Sequence, residues 1–196
     1  MGYDIVAVGT SWGGLHALTT LVEGLPASWA LPVIVVQHRS RDSHSLLAEL
    51  LQAHTPLPVC EAEDKQPLEA GQVLIAPADY HLLVERGYVS LSTDPLVRYS
   101  RPSIDVMLES AADSYGPAAI GVIMTGANAD GAAGLARLAA RGGYAIVQDP
   151  AGAESPQMPR AALSAVPGAH VLPLAAIAPH LVSLVTPSRR GAGARP

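Results

Sequence analysis

The chain alternates short apolar runs with stretches of helical periodicity. Tyr3-Asp4-Ile5-Val6-Ala7-Val8-Gly9-Thr10 is an apolar run closing on glycine-rich sequence, the pattern of a buried strand feeding a turn. Beyond it, Leu15, Leu18, Val22 and Leu25 recur at helical spacing and stop near Gly24 and Pro26. Leu31 to Val36 reads as a second buried strand, rich in β-branched residues. Ser43 to Ala53 follows as an amphipathic helix with Leu46, Leu47, Leu50 and Leu51 on one stripe. A βαβα order of this kind predicts a parallel sheet with right-handed crossovers.

The middle of the chain changes character. Val73 to Ala76, His81 to Glu85 and Tyr88 to Ser92 read as short strands, the last two joined through Arg86-Gly87 as a hairpin. This region is predicted to be an antiparallel excursion at a sheet edge. A helix then starts after Ser103, its N-cap, because Ile104, Met107, Leu108, Ala111, Ala112 and Tyr115 keep helical spacing. Ala119 to Ile123 and Gly143 to Val147 are predicted strands, with a helix over Ala132 to Ala140 between them. Pro159 to Val166 and Ala175 to Val185 are predicted helices, and residues 187–196 a disordered tail. The fold class is therefore α/β: three layers, a mostly parallel sheet with helices on both faces, and an antiparallel hairpin at one edge. Residues 3–186 form its single domain.

Composition narrows the class further. Of 196 residues, 49% are hydrophobic and 15% charged, which excludes a disordered chain. Net charge is −5 and Lys65 is the only lysine, so no nucleic-acid partner is expected. The single cysteine, Cys60, cannot form an internal disulfide and fits a reducing compartment. No apolar run approaches the roughly 20 residues a bilayer requires, and the N-terminus lacks the pattern of a signal peptide. The expected location is cytoplasmic, without membrane insertion.

Open parallel α/β sheets bind ligands beyond the carboxyl ends of their strands. Three loops there carry polar residues that packing does not require. Gly9-Thr10-Ser11-Trp12-Gly13-Gly14 has the form G-x-S-x-G between strand and helix, where small neighbours expose the serine. The same loop also reads as a glycine turn with Ser11 capping the helix, or as a phosphate cradle. It is not the G-x-G-x-x-G dinucleotide fingerprint. Gln37-His38-Arg39-Ser40 ends the second strand, and His38 there is topologically best placed to serve as a base for Ser11. His16, His44, His54, His81, His170 and His180 fall inside or at the ends of other elements. Met124 to Gly131 offers Asp130 as the carboxylate that orients a histidine, or as a cap for its own helix. Asp105 competes for the orienting role, and residue pattern alone does not choose between them.

Together these loops resemble the catalytic domain of the CheB-type protein-glutamate methylesterases. The resemblance rests on Gly9 to Gly14, Gln37-His38, Arg101-Pro102-Ser103-Ile104-Asp105 and Met124 to Gly131. Glu61-Ala62-Glu63-Asp64 with Ile75-Ala76-Pro77, and Gln148-Asp149-Pro150 with Met158-Pro159-Arg160-Ala161, add two further collinear matches. It implies a Rossmann-like parallel sheet, with Ser11 as nucleophile, His38 as general base then acid, and Asp130 as orienter. The implied reaction is hydrolysis of glutamate γ-methyl esters on the cytoplasmic helices of a chemoreceptor, releasing methanol; related enzymes also deamidate receptor glutamine. Trp12, Gly13, Gly126 and Ala127 are the candidate oxyanion and substrate residues. No cofactor and no metal are called for, since the sequence offers no closed set of His and Cys ligands.

Three residues depart from the family pattern: Trp12 stands beside the nucleophile, and Ala127-Asn128 replaces Met-Gly. Those departures motivate an alternative, a receptor-binding scaffold with little catalysis. The sequence starts at the first catalytic strand, where the best-known family members carry a receiver domain; a stand-alone esterase domain, one served by a trans-acting regulator, and a piece of a longer protein are the expectations that follow.

Overall fold

The structure, a computed structural model, describes residues 2–39 and 46–185. Its centre is β1 (Ile5–Thr10), whose six residues are all buried. It is flanked by β2 (Val33–Gln37) on one side and β7 (Ala119–Ile123) on the other, both parallel to it. Among the described residues the sheet has seven parallel strands in the order β3-β4-β2-β1-β7-β8-β9. Here β3 is Val59–Glu61, β4 is Val73–Ile75, β8 is Tyr144–Gln148 and β9 is His170–Leu172. The chain leaves β1 toward β2 and later returns to β1's opposite side as β7. Such a reversal splays the loops apart and opens a crevice at the strands' carboxyl ends.

Alternation along β1 explains the three layers. Val6 and Val8 face α1 (Gly14–Glu23), α2 (Leu46–Gln52) and α6 (Leu174–Val185), packing against Leu18, Leu21, Leu51, Ile177 and Leu181. Ile5 and Ala7 face α3 (Ile104–Tyr115), α4 (Ala132–Ala140) and α5 (Gln157–Ala165), packing with Ile104, Leu108, Leu135 and Met158. Each large apolar side chain so buried contributes about 1.5–3 kcal/mol, which leaves no freedom to slip register.

The middle region differs from its sequence reading. Val73–Ile75 is no antiparallel excursion: it is an interior parallel strand between β2 and β3. The hairpin of β5 (His81–Glu85) and β6 (Tyr88–Ser92) forms its own two-stranded sheet. It is not bonded to an edge of the main sheet. Leu82, Val84 and Val89 instead place it in the core beneath α3, where Ser110 Oγ accepts from Val84 N–H. Strands β3 and β9 carry little apolar signal, three residues each and none fully buried, and pattern reading passes over them. The start of α2 at Ser43, His44 and the tail over 187–196 lie outside the described residues.

Candidate active site

Ser11 follows β1 directly, and His38 follows β2, its neighbour in the sheet. Thr10 pairs with Gln37 across the two strands, and His38 N–H donates to Thr10 O at 3.1 Å. The two loops therefore leave the sheet side by side. Ser11 is strapped in place through its backbone: its N–H donates to Thr125 O (3.0 Å), and its carbonyl accepts from Gly14 N–H (2.9 Å). The same carbonyl accepts from Gln37 Nε2 (2.8 Å), which also donates to His38 O. Glycine at position 14 leaves room for the Gln37 side-chain amide, which a Cβ there would displace. Gly13 caps α1 in the left-handed region at φ 78°, a conformation glycine adopts without strain. Ser11 is thus not the helix cap, and its hydroxyl makes no hydrogen bond among the described residues.

Asp130 is 1% exposed and accepts five hydrogen bonds. His38 Nε2 lies 2.7 Å from its Oδ2, which also takes the Ile104 N–H at 2.7 Å. Its Oδ1 takes Ser103 Oγ–H at 2.9 Å, and the Asp105 and Gly131 N–H groups at 3.0 Å each. The carboxylate thus caps the N-terminus of α3, a different helix from the one it precedes, where the helix dipole favours negative charge. Burial alone would raise its pKa. The bond from His38 and the Asp105 and Ile104 N–H groups outweigh burial, and the carboxyl is held below its ordinary range.

Asp105, the competing candidate, does not reach the histidine. It is 4% exposed and accepts from Gly134 N–H at 2.8 Å, with Arg98 Nε at 3.2 Å. Burial raises its pKa and Asp130's charge adds to this, against the lowering effect of Gly134 and Arg98. A raised folded-state pKa means the charge costs stability once pH climbs through it, while below the unfolded value near 3.9 the cost vanishes. Asp105→Asn keeps an acceptor for Gly134. It should raise the melting temperature at pH 8 by about 2–4 °C, on the scale of one kcal/mol for a domain this size. The gain should shrink toward pH 4, and calorimetry at both pH values would check it.

A cavity of about 630 Å³ opens over the crevice, lined by Ser11, Trp12, Gly13, Gln37, His38, Ala127 and Glu154 among others. Trp12 is 66% exposed at its mouth. Among the described residues, the backbone N–H groups of Trp12, Gly13 and Ala127 donate no hydrogen bond. Gly126 departs from the sequence expectation. Its N–H is spent on Ser155 O at 3.0 Å, and its Cα is packed against Met158, so it offers the cavity no donor.

The remaining sequence motifs hold these loops in place. Arg39 Nη2 bonds Glu61 and Ala76 O, tying two of them together. Gln148 Oε1 accepts from Thr125 N–H at 2.8 Å, and Thr125 Oγ1 donates to Trp12 O at 2.9 Å. Sequence reasoning missed three neighbours of the site. Ser103 is its expected helix cap and also bonds Asp130. Glu154 lies over Gly13. The Asn128 amide contacts the His38 ring, with its Nδ2 at 3.2 Å from Nδ1. Two of them carry a sequence signal, Ser103 as part of the Arg101 to Asp105 motif and Asn128 as a departure from Met-Gly, whereas Glu154 carries none. Among the described residues, no group of three or more His, Cys, Asp or Glu could hold a metal ion. No described helix is long and apolar enough to cross a membrane.

Comparison with known proteins gives a consistent answer. The family model described as CheB methylesterase matches residues 6–181. A Leptospira interrogans protein named for protein-glutamate methylesterase and protein-glutamine glutaminase activity is 40% identical over 185 residues, spanning 94% of this chain and 96% of its own. A Burkholderia lata protein named protein-glutamate methylesterase/protein-glutamine glutaminase 2 is 40% identical over 183 residues, and the chain spans 54% of its length. The crystal structure of the Thermotoga maritima CheB methylesterase catalytic domain aligns at a TM-score of 0.89 and 33% identity, covering 94% of this chain and all of that one. The chain belongs to the CheB methylesterase family.

Proposed function

We infer that this chain is a protein-glutamate methylesterase, a serine hydrolase in which Ser11, His38 and Asp130 act as nucleophile, base and orienter. The observation that carries the reading is the buried, fivefold-bonded Asp130 carboxylate holding His38 at 2.7 Å beside the cavity that Ser11 lines. An ionised carboxylate only accepts hydrogen bonds, so His38 Nε2 carries the ring proton and Nδ1 is the basic nitrogen.

The chemistry follows from that tautomer. Nδ1 takes the Ser11 hydroxyl proton as Oγ bonds the ester carbonyl carbon. The carbonyl oxygen becomes an oxyanion, met by the N–H groups of Trp12, Gly13 and Ala127, and each such donor is worth about 10²–10³ in rate. Collapse breaks the bond to methoxide, which leaves as methanol with the proton from Nδ1. Water attacks the acyl-serine by the same steps, giving free glutamate and regenerating Ser11. Asp130 stabilises the imidazolium that forms in each half.

The substrate of this proposal is a methylated glutamate on the cytoplasmic helices of a chemoreceptor, and the enzyme works in the cytoplasm. Receptor glutamine, with ammonia as leaving group, is open to the same acyl chemistry. The test is methanol release from a methylated receptor fragment, with mass spectrometry locating a fluorophosphonate adduct. Release together with an adduct on Ser11 is expected; an adduct elsewhere, or none, would overturn the assignment.

A further inference from the structure

The one nitrogen of His38 left free by Asp130 is occupied. Asn128 Nδ2 lies 3.2 Å from His38 Nδ1, and Asn128 Oδ1 accepts from Asp130 N–H at 3.1 Å. These two contacts fix the amide's orientation. Turned over, its NH₂ would face the Asp130 N–H, donor against donor. An amide nitrogen can only donate, so it bonds the Nδ1 lone pair, and an imidazole nitrogen has one such pair. Ser11 must donate its proton to that same pair, and among the described residues no hydrogen bond joins Ser11 Oγ to His38. Asn128 is exposed, so solvent can take over its bonds when it swings aside.

We propose that Asn128 is a latch on the catalytic base: in the resting enzyme its amide holds the His38 Nδ1 lone pair, and it must yield that pair to Ser11 before acyl transfer begins. The proposal rests on the serine-hydrolase reading above and adds a positioning residue to it. The latch has two effects of opposite use. It keeps the ring in the Nε2–H tautomer that Asp130 requires, and it slows proton transfer until a substrate displaces it.

Two substitutions separate these effects while keeping the turn bond to Asp130 N–H, since serine and aspartate side chains both accept there. Asn128→Ser is too short to reach the ring. Asn128→Asp reaches it as an acceptor and draws a proton onto Nδ1. With a small alkyl fluorophosphonate as probe, Asn128→Ser should phosphonylate Ser11 about three- to tenfold faster than the unaltered protein, the value of one ordinary hydrogen bond. Asn128→Asp should react more than about tenfold more slowly, because a protonated Nδ1 is no base. In ¹⁵N spectra of His38, the serine variant should keep a bare Nδ1 with a shifted resonance, and the aspartate variant should show Nδ1 protonated. Ser11 labelling that Asn128→Ser leaves unchanged or slows would overturn the latch alone. Absence of Ser11 labelling in all three proteins would remove the nucleophile, and the latch with it.

Discussion

Ser11→Ala is expected to abolish methanol release, by about 10⁴-fold or more, while the protein folds and melts as before. In serine hydrolases the triad acts as a unit, and losing the nucleophile removes nearly all catalysis beyond that supplied by oxyanion donors and binding. The expectation of an unchanged fold comes from the bonding pattern. What holds Ser11 is its backbone, through Thr125 O, Gly14 N–H and Gln37 Nε2, and alanine keeps all three contacts. The hydroxyl contributes no hydrogen bond among the described residues. The melting temperature should therefore stay within about 2 °C, corresponding to the half kcal/mol typical of a neutral substitution. Should Ser11→Ala retain more than a tenth of the activity, the nucleophile is a different group.

The candidate loops stand out in the sequence for a physical reason. Parallel strands must be buried on both faces, so β1, β2 and β7 show as unbroken apolar runs, and polar residues at their ends stand out. Gln37-His38 after Val36 is such a break, and so is the Thr125 to Asp130 loop after Ile123-Met124. Topology then does the rest, because β1 lies between β2 and β7 and their loops open on one crevice. What the pattern could not supply is the direction of a side chain. Asp130 precedes Gly131 and the helix α4, so local reasoning offers it as a cap for α4, yet it caps α3 and leaves α4 to Gly131. The choice between Asp130 and Asp105 likewise depends on how α3 packs beside α4, a contact between segments some 25 residues apart. Gly126 was read as a donor because it is a glycine in the right loop, but its N–H is committed to Ser155 across a second loop. The hairpin's position failed for a related reason: alternation identifies β5 and β6 as strands but does not say which sheet they join.

Asp130→Asn should be as inactive as Ser11→Ala and, unlike it, unstable. Five donors converge on the carboxylate, and the near-isosteric amide has one oxygen to receive them and two hydrogens of its own to place. If its NH₂ takes the Oδ2 position, it faces the Ile104 N–H and the His38 nitrogen; if it takes Oδ1, it faces the Ser103 hydroxyl and the Asp105 and Gly131 N–H groups. Either way buried N–H groups lose their acceptor, at a cost of about 1–3 kcal/mol for each group left unpaired. A total loss of about 2–4 kcal/mol is expected, read from urea unfolding at pH 7. The pH dependence has a definite sign. The folded-state pKa of Asp130 is lowered, so its stabilisation is present above the unfolded value near 3.9 and lost as pH falls through the folded one. The stability gap between the two proteins should therefore be full at pH 7 and close in acid below pH 4. Catalysis fails for a separate reason. With an NH₂ group opposite Nε2, His38 turns to the tautomer that is bare at Nε2 and protonated at Nδ1, the nitrogen that must receive the serine proton. In a serine protease the equivalent change costs about 10⁴ in kcat. A stable but inactive Asp130→Asn would mean that the carboxylate orients the histidine without anchoring α3; an active one would remove Asp130 from the mechanism.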